Sequence, residues 1–167
     1  MLFSTKHNGS TITQYTSSNA LDISSWSSES LDSQLGGTDY DYASIIQLTG
    51  ETNDPLYLFW RDNADITYPF CYSNSEDDGA NWDSRTIFFQ NTDNRPYFKY
   101  AQNGTDRIDF ACTNTAWNLN AANAVQHFYY KNGNWYETDG TLISTGNASL
   151  PISSSDAMEV YDGSAGA

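Results

Sequence analysis

From position 42 onward, the chain consists of short runs of alternating apolar residues separated by polar turns. In LYLFWR, at 56–61, successive side chains point to opposite faces of a strand, and both faces are largely apolar. Ile108, Phe110 and Cys112 form a similar apolar face in DRIDFACT. No apolar stripe at helical spacing continues for more than two turns. The pattern therefore predicts an all-β protein whose strands are buried on both faces.

The predicted strands fall into repeated units. Four lie in 42–90 and four more in 95–138, and Asn-Gly pairs between β-rich runs indicate hairpins. Units of about 45 residues match the period of a propeller blade. The segment 1–35 is interpreted as the end of an incomplete blade and 139–167 as the start of a further, truncated one. We expect one partial domain over 1–167, a β-propeller fragment of about two and a half four-stranded antiparallel blades. The alternative is a small β-sandwich.

Composition and charge indicate which classes of binding partner to exclude. Aromatic residues make up 15% of the chain, which suits strands joined by polar turns. The chain has 7 Lys and Arg against 21 Asp and Glu, a net charge of −14, so we expect no nucleic-acid partner. No stretch approaches the ~20 apolar residues of a membrane span, so we expect no membrane insertion. The first ten residues lack the apolar region of a signal peptide.

The two cysteines fit no metal or redox spacing. Cys71 and Cys112 each lie in a predicted strand with alternating apolar residues, which favours buried free thiols and leaves a disulfide as the alternative. No cluster of zinc ligands is present in the sequence, so no metal site is predicted from these residues.

The segment SNSEDDGANW contains the pattern Ser-x-Asp-x-Gly-x-x-Trp, known as the Asp box. Four positions carry it: Ser75, Asp77, Gly79 and Trp82. A short Asp side chain accepts hydrogen bonds from its own loop, glycine tolerates positive φ, and the tryptophan ring covers a hairpin. We therefore interpret the motif as structural. Its other acidic residues, Glu76 and Asp78, are expected to be solvated, with calcium binding at the loop as an open alternative.

A wider set of segments follows in a recognisable order: KHNGSTITQYTSSNALDISSW, YASIIQL, LYLFWR, SNSEDDGANW, RPYFKYA, DRIDFACT and HFYYKNGNWYETDGTLI. Together they resemble the BNR-repeat family that includes ulvan lyases and related uronate-specific polysaccharide lyases, from about Leu2 to Ile143. The resemblance implies a seven-bladed propeller, secreted, periplasmic or on the cell surface, whose partner is an acidic polysaccharide. It also implies missing blades from the same polypeptide.

Members of the family cleave the glycosidic linkage by β-elimination, using His, Tyr and Arg side chains in a cleft at one end of the propeller. By resemblance, these catalytic residues correspond to His7, Tyr42 and Arg61, with Tyr40 as a rival to Tyr42. Arg61 would neutralise a uronate carboxylate, because its planar fork binds carboxylates through charge-assisted hydrogen bonds. His7 would act as base, and Tyr42 as acid or base. The chemistry requires no cofactor; structural calcium or zinc in the intact protein is left open.

Further side chains are candidates for substrate binding: Trp60, Arg95, Asn114, Trp117, His127 and Tyr130. The aromatic ones would stack on sugar faces. Arg95 precedes Pro96 and has the alternative role of fixing a connection between blades, while His127 has that of a hydrogen-bonded core residue. Asn114 and Trp117 lie in TNTAWN, where the family has a TDGHP-like stretch.

The first functional hypothesis is a lyase that cleaves uronate-containing acidic polysaccharide of the ulvan type by β-elimination, inactive as this chain alone. The second is a non-catalytic glycan-binding propeller or adhesin. The third, a sialidase-type hydrolase, requires three arginines with a Tyr–Glu pair. Only four arginines occur in the chain, and no partner carboxylate is evident in the sequence.

Overall fold

The computed structural model describes residues 2–4, 11–19, 22–36, 39–91, 95–116 and 123–163. Two predicted site residues, His7 and Trp117, lie outside these ranges. The elements within them are β1 (Leu2–Ser4), β2 (Thr13–Ser17), β3 (Trp26–Ser30), α1 (Asp32–Leu35), β4 (Tyr40–Gln47), β5 (Leu56–Asp62), β6 (Phe70–Ser75), β7 (Thr86–Phe89), β8 (Phe98–Gln102), β9 (Arg107–Thr113), β10 (Val125–Lys131), β11 (Asn134–Glu137), β12 (Leu142–Thr145) and β13 (Met158–Tyr161).

These strands form three antiparallel sheets, which confirms the all-β class with four-stranded units. Sheet 1 has the order β1-β2-β3 and sheet 2 the order β4-β5-β6-β7. Sheet 3 has the order β12-β11-β10-β9-β8, and β13 also pairs with β10. β12 and β13 lie in 139–167, and the further blade expected there stays a prediction. Among the residues described, no helix is long and apolar enough to cross a membrane.

Sheet 2 packs between the other two sheets, because both faces of β5 are apolar. Leu58 and Trp60 point into the core shared with sheet 1, and Tyr57 and Phe59 into the core shared with sheet 3. All four side chains are buried, as the alternation of β5 predicts. Two separate cores therefore hold three sheets in a row, unlike the single core of a two-sheet sandwich.

The core between sheets 2 and 3 consists mainly of aromatic rings. Phe110, which is fully buried, lies 5.5 Å from Phe59, 5.3 Å from Phe88 and 5.0 Å from Phe128 between ring centroids. The Phe110 and Phe128 rings are parallel within 9°. Stacked and edge-to-face pairs at these distances stabilise beyond the area they bury, by about 0.5–1.5 kcal/mol a pair. The predicted apolar face of β9 is thus the centre of this interface.

Each core contains one free cysteine. Cys71 lies in the core between sheets 1 and 2, and Cys112 in the core between sheets 2 and 3. Burial raises the pKa of both thiols to about 12, because the charged thiolate is poorly solvated there. Both are therefore neutral and unreactive at neutral pH.

The Asp box closes the hairpin between β6 and β7. The Ser75 hydroxyl donates to Asp77 Oδ1 (2.9 Å) and accepts from the backbone N–H of Gly79 (2.8 Å). Asp77 also accepts from the side chain and the backbone of Asn81, which holds the pKa of its carboxyl below the usual 3.8. Gly79 has φ +82°, which other residues adopt only with strain.

Trp82 connects this hairpin to sheet 1. Its indole N–H donates to Gln14 Oε1 at 2.9 Å, and Gln14 Nε2 donates back to the carbonyl of Gly79 at 2.9 Å. Both side chains are buried. The Phe3 ring meets the Trp82 ring edge-on at 5.8 Å. The motif therefore joins one sheet to the next.

Among the residues described, no group of three or more His, Cys, Asp or Glu side chains could hold a metal ion.

Replacing Trp82 by phenylalanine is expected to lower the free energy of unfolding by about 1–3 kcal/mol, because Gln14 Oε1 loses its donor in a buried position. Urea unfolding followed by circular dichroism would measure it. Trp26→Phe is the matched control, since that indole is exposed and donates to the Ile23 carbonyl; its effect should stay within about 0.5 kcal/mol. Equal losses in the two variants would contradict the role given to Trp82.

Candidate functional site

Arg61 lies at the end of β5 and is completely buried. Its Nη2 donates to Asp41 Oδ2 at 2.7 Å, in an ion pair whose two side chains are both 0% exposed. Its Nε donates to Asn63 Oδ1 at 2.9 Å, and Asn63 Nδ2 donates to the same Asp41 oxygen at 2.6 Å. Asp41 and Asn63 therefore hold the guanidinium along its Nε–Nη2 edge.

The Nη1 group of Arg61 is also buried but has no hydrogen-bond partner within the ranges that the structure describes. Leaving a charged donor buried without an acceptor costs about 1–3 kcal/mol or more. Such groups are rare in folded proteins and need a specific explanation. A bound anion would supply the acceptor. It would bind at Nη1, because Asp41 and Asn63 already occupy the Nε–Nη2 edge of the guanidinium.

Tyr42 covers Arg61 from the neighbouring strand. β4 has a bulge between Asp41 and Ser44, and Tyr42 adopts φ +58° there. Its ring centroid lies 4.7 Å from Arg61 Cζ, and the side chain is 41% exposed. A non-glycine residue in this conformation costs about 1–3 kcal/mol and is most frequent at functional sites. Tyr40 lies instead in the core, 5.8 Å from Trp60 between centroids. The structure therefore brings Tyr42, and not Tyr40, to Arg61.

Two more tyrosines surround the same guanidinium. The ring centroids of Tyr68 and Tyr97 lie 5.7 and 5.8 Å from Arg61 Cζ, and Tyr97 is 6.0 Å from Tyr42. The Tyr68 ring also contacts a second arginine, since its centroid lies 4.5 Å from Arg95 Cζ. Sequence reasoning missed both tyrosines. The available signal was their position beside Pro69 and Pro96, in loops that end at the same edge as Arg61.

An open groove of about 610 Å³ extends from this cluster between the first strands of sheets 2 and 3. Its wall includes Tyr42, Ser44, Tyr97, Lys99, Tyr100 and Thr113. Of the described residues that line the groove, Lys99 is the cationic one, and its side chain is exposed. A concave groove with aromatic walls and a few polar groups is typical of ligand-binding sites.

The other predicted binding residues are dispersed. Asn114 follows β9 at the Arg61 end of the sheets, and its Oδ1 is buried with no partner among the described residues. Trp60 is 0% exposed in the core, so its ring has no face open to a sugar. Tyr130 is buried against Tyr57, with hydroxyl oxygens 2.8 Å apart. Since Tyr57 begins β5 and Arg61 ends it, Tyr130 lies at the opposite end of the sheets.

His127 lies on the face of β10 that points away from sheet 2. Its Nδ1 is 2.8 Å from Thr138 Oγ1, and its Nε2 is 3.1 Å from Asp109 Oδ1. Arg107 donates to the same carboxylate. These contacts are those of a hydrogen-bonded structural histidine. Of the predicted site residues in the described ranges, the structure thus brings together Tyr42, Arg61 and Arg95.

This arrangement has two chemical capacities. Arg61 Nη1 lacks an acceptor among the described residues but is fully buried, so an oxyanion can reach it only when covering side chains such as Tyr42 move aside. Once bound, its negative charge would be stabilised because the site is shielded from water. The half-exposed Tyr42 hydroxyl can donate or accept a proton at the mouth of the groove.

Comparison with curated proteins finds no match. Among solved structures, the chain is similar to two structures of ulvan lyase, which is described there as a new family of polysaccharide lyase. One of the two structures is bound to -[GlcA(1-4)Rha3S]-. Each is 19% identical over 90% of this chain, with TM-scores of 0.64 and 0.65, and this chain spans 37% of their length. The similarity confirms the β-propeller fold. Residues 1–165 match the profile described as BNR repeat-containing family member, so the chain belongs to the BNR repeat-containing family.

Proposed function

We propose that the intact propeller to which this chain contributes is of polysaccharide-lyase type and cleaves uronate-containing acidic polysaccharide, such as ulvan, by β-elimination, while this chain alone is inactive. The observation that carries this proposal is the buried Arg61, whose Nη1 lacks an acceptor within the described residues, beside the half-exposed Tyr42. The similarity to ulvan lyase structures supports the same choice of polymer. A polymer substrate is met outside the cell, so the protein acts as a secreted or surface protein.

In the proposed reaction, the uronate carboxylate accepts a hydrogen bond from Arg61 Nη1. This contact lowers the negative charge on the carboxylate, so the proton on C5 becomes more acidic. A base removes that proton, the C4–O4 bond breaks with its electron pair going to O4, and a C4–C5 double bond forms. Either His7 removes the C5 proton and Tyr42 protonates the leaving oxygen, or Tyr42, beside the Arg61 cation, removes the C5 proton and water protonates the leaving oxygen.

The ion pair with Asp41 gives Arg61 a particular role. Because the carboxylate of Asp41 already offsets part of the guanidinium charge, long-range attraction of the substrate is weakened. Arg61 then stabilises the transition state mainly through its directed hydrogen bond. This bond strengthens as negative charge moves onto the uronate carboxylate. This fits an acidic protein acting on an acidic polymer.

In the intact propeller, replacing Tyr42 by phenylalanine is expected to lower kcat on ulvan by about 10²–10⁴-fold with little change in KM, since the ring stays and only the hydroxyl is lost. The ultraviolet absorbance of the unsaturated uronate product measures the rate. Tyr136→Phe, on the far face of sheet 3 beside Tyr129, is the matched control and should keep the wild-type rate.

Two outcomes decide against the proposal. Binding of ulvan without unsaturated product would identify a glycan-binding propeller or adhesin. Full activity in the Tyr42→Phe variant would remove Tyr42 from the reaction.

A further inference from the structure

Arg95 differs from the other arginines in its partners. Arg61 pairs with Asp41, Arg85 with Asp62 and Arg107 with Asp109. Arg95 has no carboxylate partner and no hydrogen bond from its guanidinium anywhere in the described ranges. Its Nε is buried without an acceptor.

The Tyr68 ring holds this guanidinium in place. Arg95 Cζ lies 4.5 Å from the ring centroid, a distance at which a cation over an aromatic face is stabilised. Tyr68 has φ +49° in the loop between β5 and β6. The same ring lies 5.7 Å from Arg61 Cζ. Both guanidinium groups therefore lie near the Tyr68 ring, and their Cζ atoms are within about 10 Å of each other.

We propose that Arg95, held by Tyr68, forms a second anion subsite next to Arg61. It binds an oxyanion group on the same polymer that presents a uronate to Arg61. The group is a sulfate ester or the carboxylate of a neighbouring uronate, both of which match the planar donor fork of arginine. Only the identity of the polymer rests on the proposed function; the existence of the anion subsite rests on Arg95, Tyr68 and their geometry.

The first experiment needs no polymer. Thermal unfolding is compared in sodium sulfate and in sodium chloride at equal ionic strength for the wild type and for Arg95→Gln. Lys131→Gln is the matched control, since it removes the same charge from an exposed side chain paired with Asp106 at the other end of the sheets. Sulfate should raise Tm more in the wild type and in Lys131→Gln than in Arg95→Gln. An equal rise in all three proteins would overturn the subsite.

The second experiment identifies the anion. Calorimetry measures binding of native and of chemically desulfated ulvan to the same three proteins. If the subsite takes a sulfate ester, Arg95→Gln weakens binding of native ulvan about tenfold and leaves desulfated ulvan unaffected. If it takes a second uronate, both polymers lose about tenfold. If neither polymer loses affinity, the subsite is refuted.

The two experiments separate this inference from the proposed function. A protein that shows the Arg95-dependent sulfate effect but forms no unsaturated product retains the subsite and loses the lyase. A protein that cleaves ulvan but shows no dependence on Arg95 in either experiment retains the lyase and loses the subsite.

Discussion

Replacing Arg61 by methionine is expected to lower the free energy of unfolding by about 3–5 kcal/mol, because the buried Asp41 carboxylate loses the ion pair with the Arg61 guanidinium. Both side chains of the pair are 0% exposed, so water cannot readily take the place of the guanidinium. In the intact propeller, the same variant should lose about 10²–10³-fold in kcat on ulvan, the usual effect of removing one preorganised donor. Urea unfolding measures the first effect and the product absorbance the second.

A double variant separates the two effects. In Arg61→Met with Asp41→Leu no charge is left buried, and apolar replacements of buried ion pairs are often neutral or stabilising by about 1–4 kcal/mol. The double variant should therefore recover most of the lost stability but none of the activity. Recovery of activity along with stability would show that Arg61 only maintains the fold.

Replacing Phe110 by alanine is expected to destabilise the protein by about 3–5 kcal/mol, the range for deleting a fully buried aromatic ring. Phe110 contacts rings from both sheets across the interface, including Phe59 and Phe88 of sheet 2 and Trp135 of sheet 3. Chemical denaturation followed by circular dichroism and by tryptophan fluorescence measures the loss. The two signals should still change together, because the same core serves both sheets.

Ile66→Ala is the control for this prediction. That side chain is 90% exposed, so its truncation should change stability by no more than about 0.5 kcal/mol. A loss below about 1 kcal/mol for Phe110→Ala would show that the aromatic cluster rearranges to fill the cavity.

The sheets were predictable because two signals agreed. Alternation showed which strands have two apolar faces, and the Asp box and the Asn-Gly pairs showed where hairpins close. The same alternation placed Trp60 with Leu56 and Leu58 on one face of β5, which already indicated a core position. The buried Trp60 ring therefore has no face for stacking on a sugar, contrary to the expectation from sequence. Tyr130 likewise alternates with Phe128 on a buried face of β10.

The site was only partly predictable. The resemblance predicted a site at Tyr42 and Arg61, and the structure places the Tyr42 ring centroid 4.7 Å from Arg61 Cζ. The roles of Asp41 and Asn63 depend on a bulge in β4 that shifts the pairing between β4 and β5. Tyr68 and Tyr97 reach Arg61 from loops of different sheets. Such contacts depend on how sheets stack and how loops turn, which local sequence patterns do not encode.

The two buried thiols have a practical consequence. Because Cys71 and Cys112 are buried in different interfaces between the sheets, a thiol-specific reagent should label each one faster when its own interface opens. The labelling rate of each residue then gives the opening free energy of one inter-blade contact in the unmodified protein. The chain thus contains two native probes that report separately on how neighbouring blades come apart.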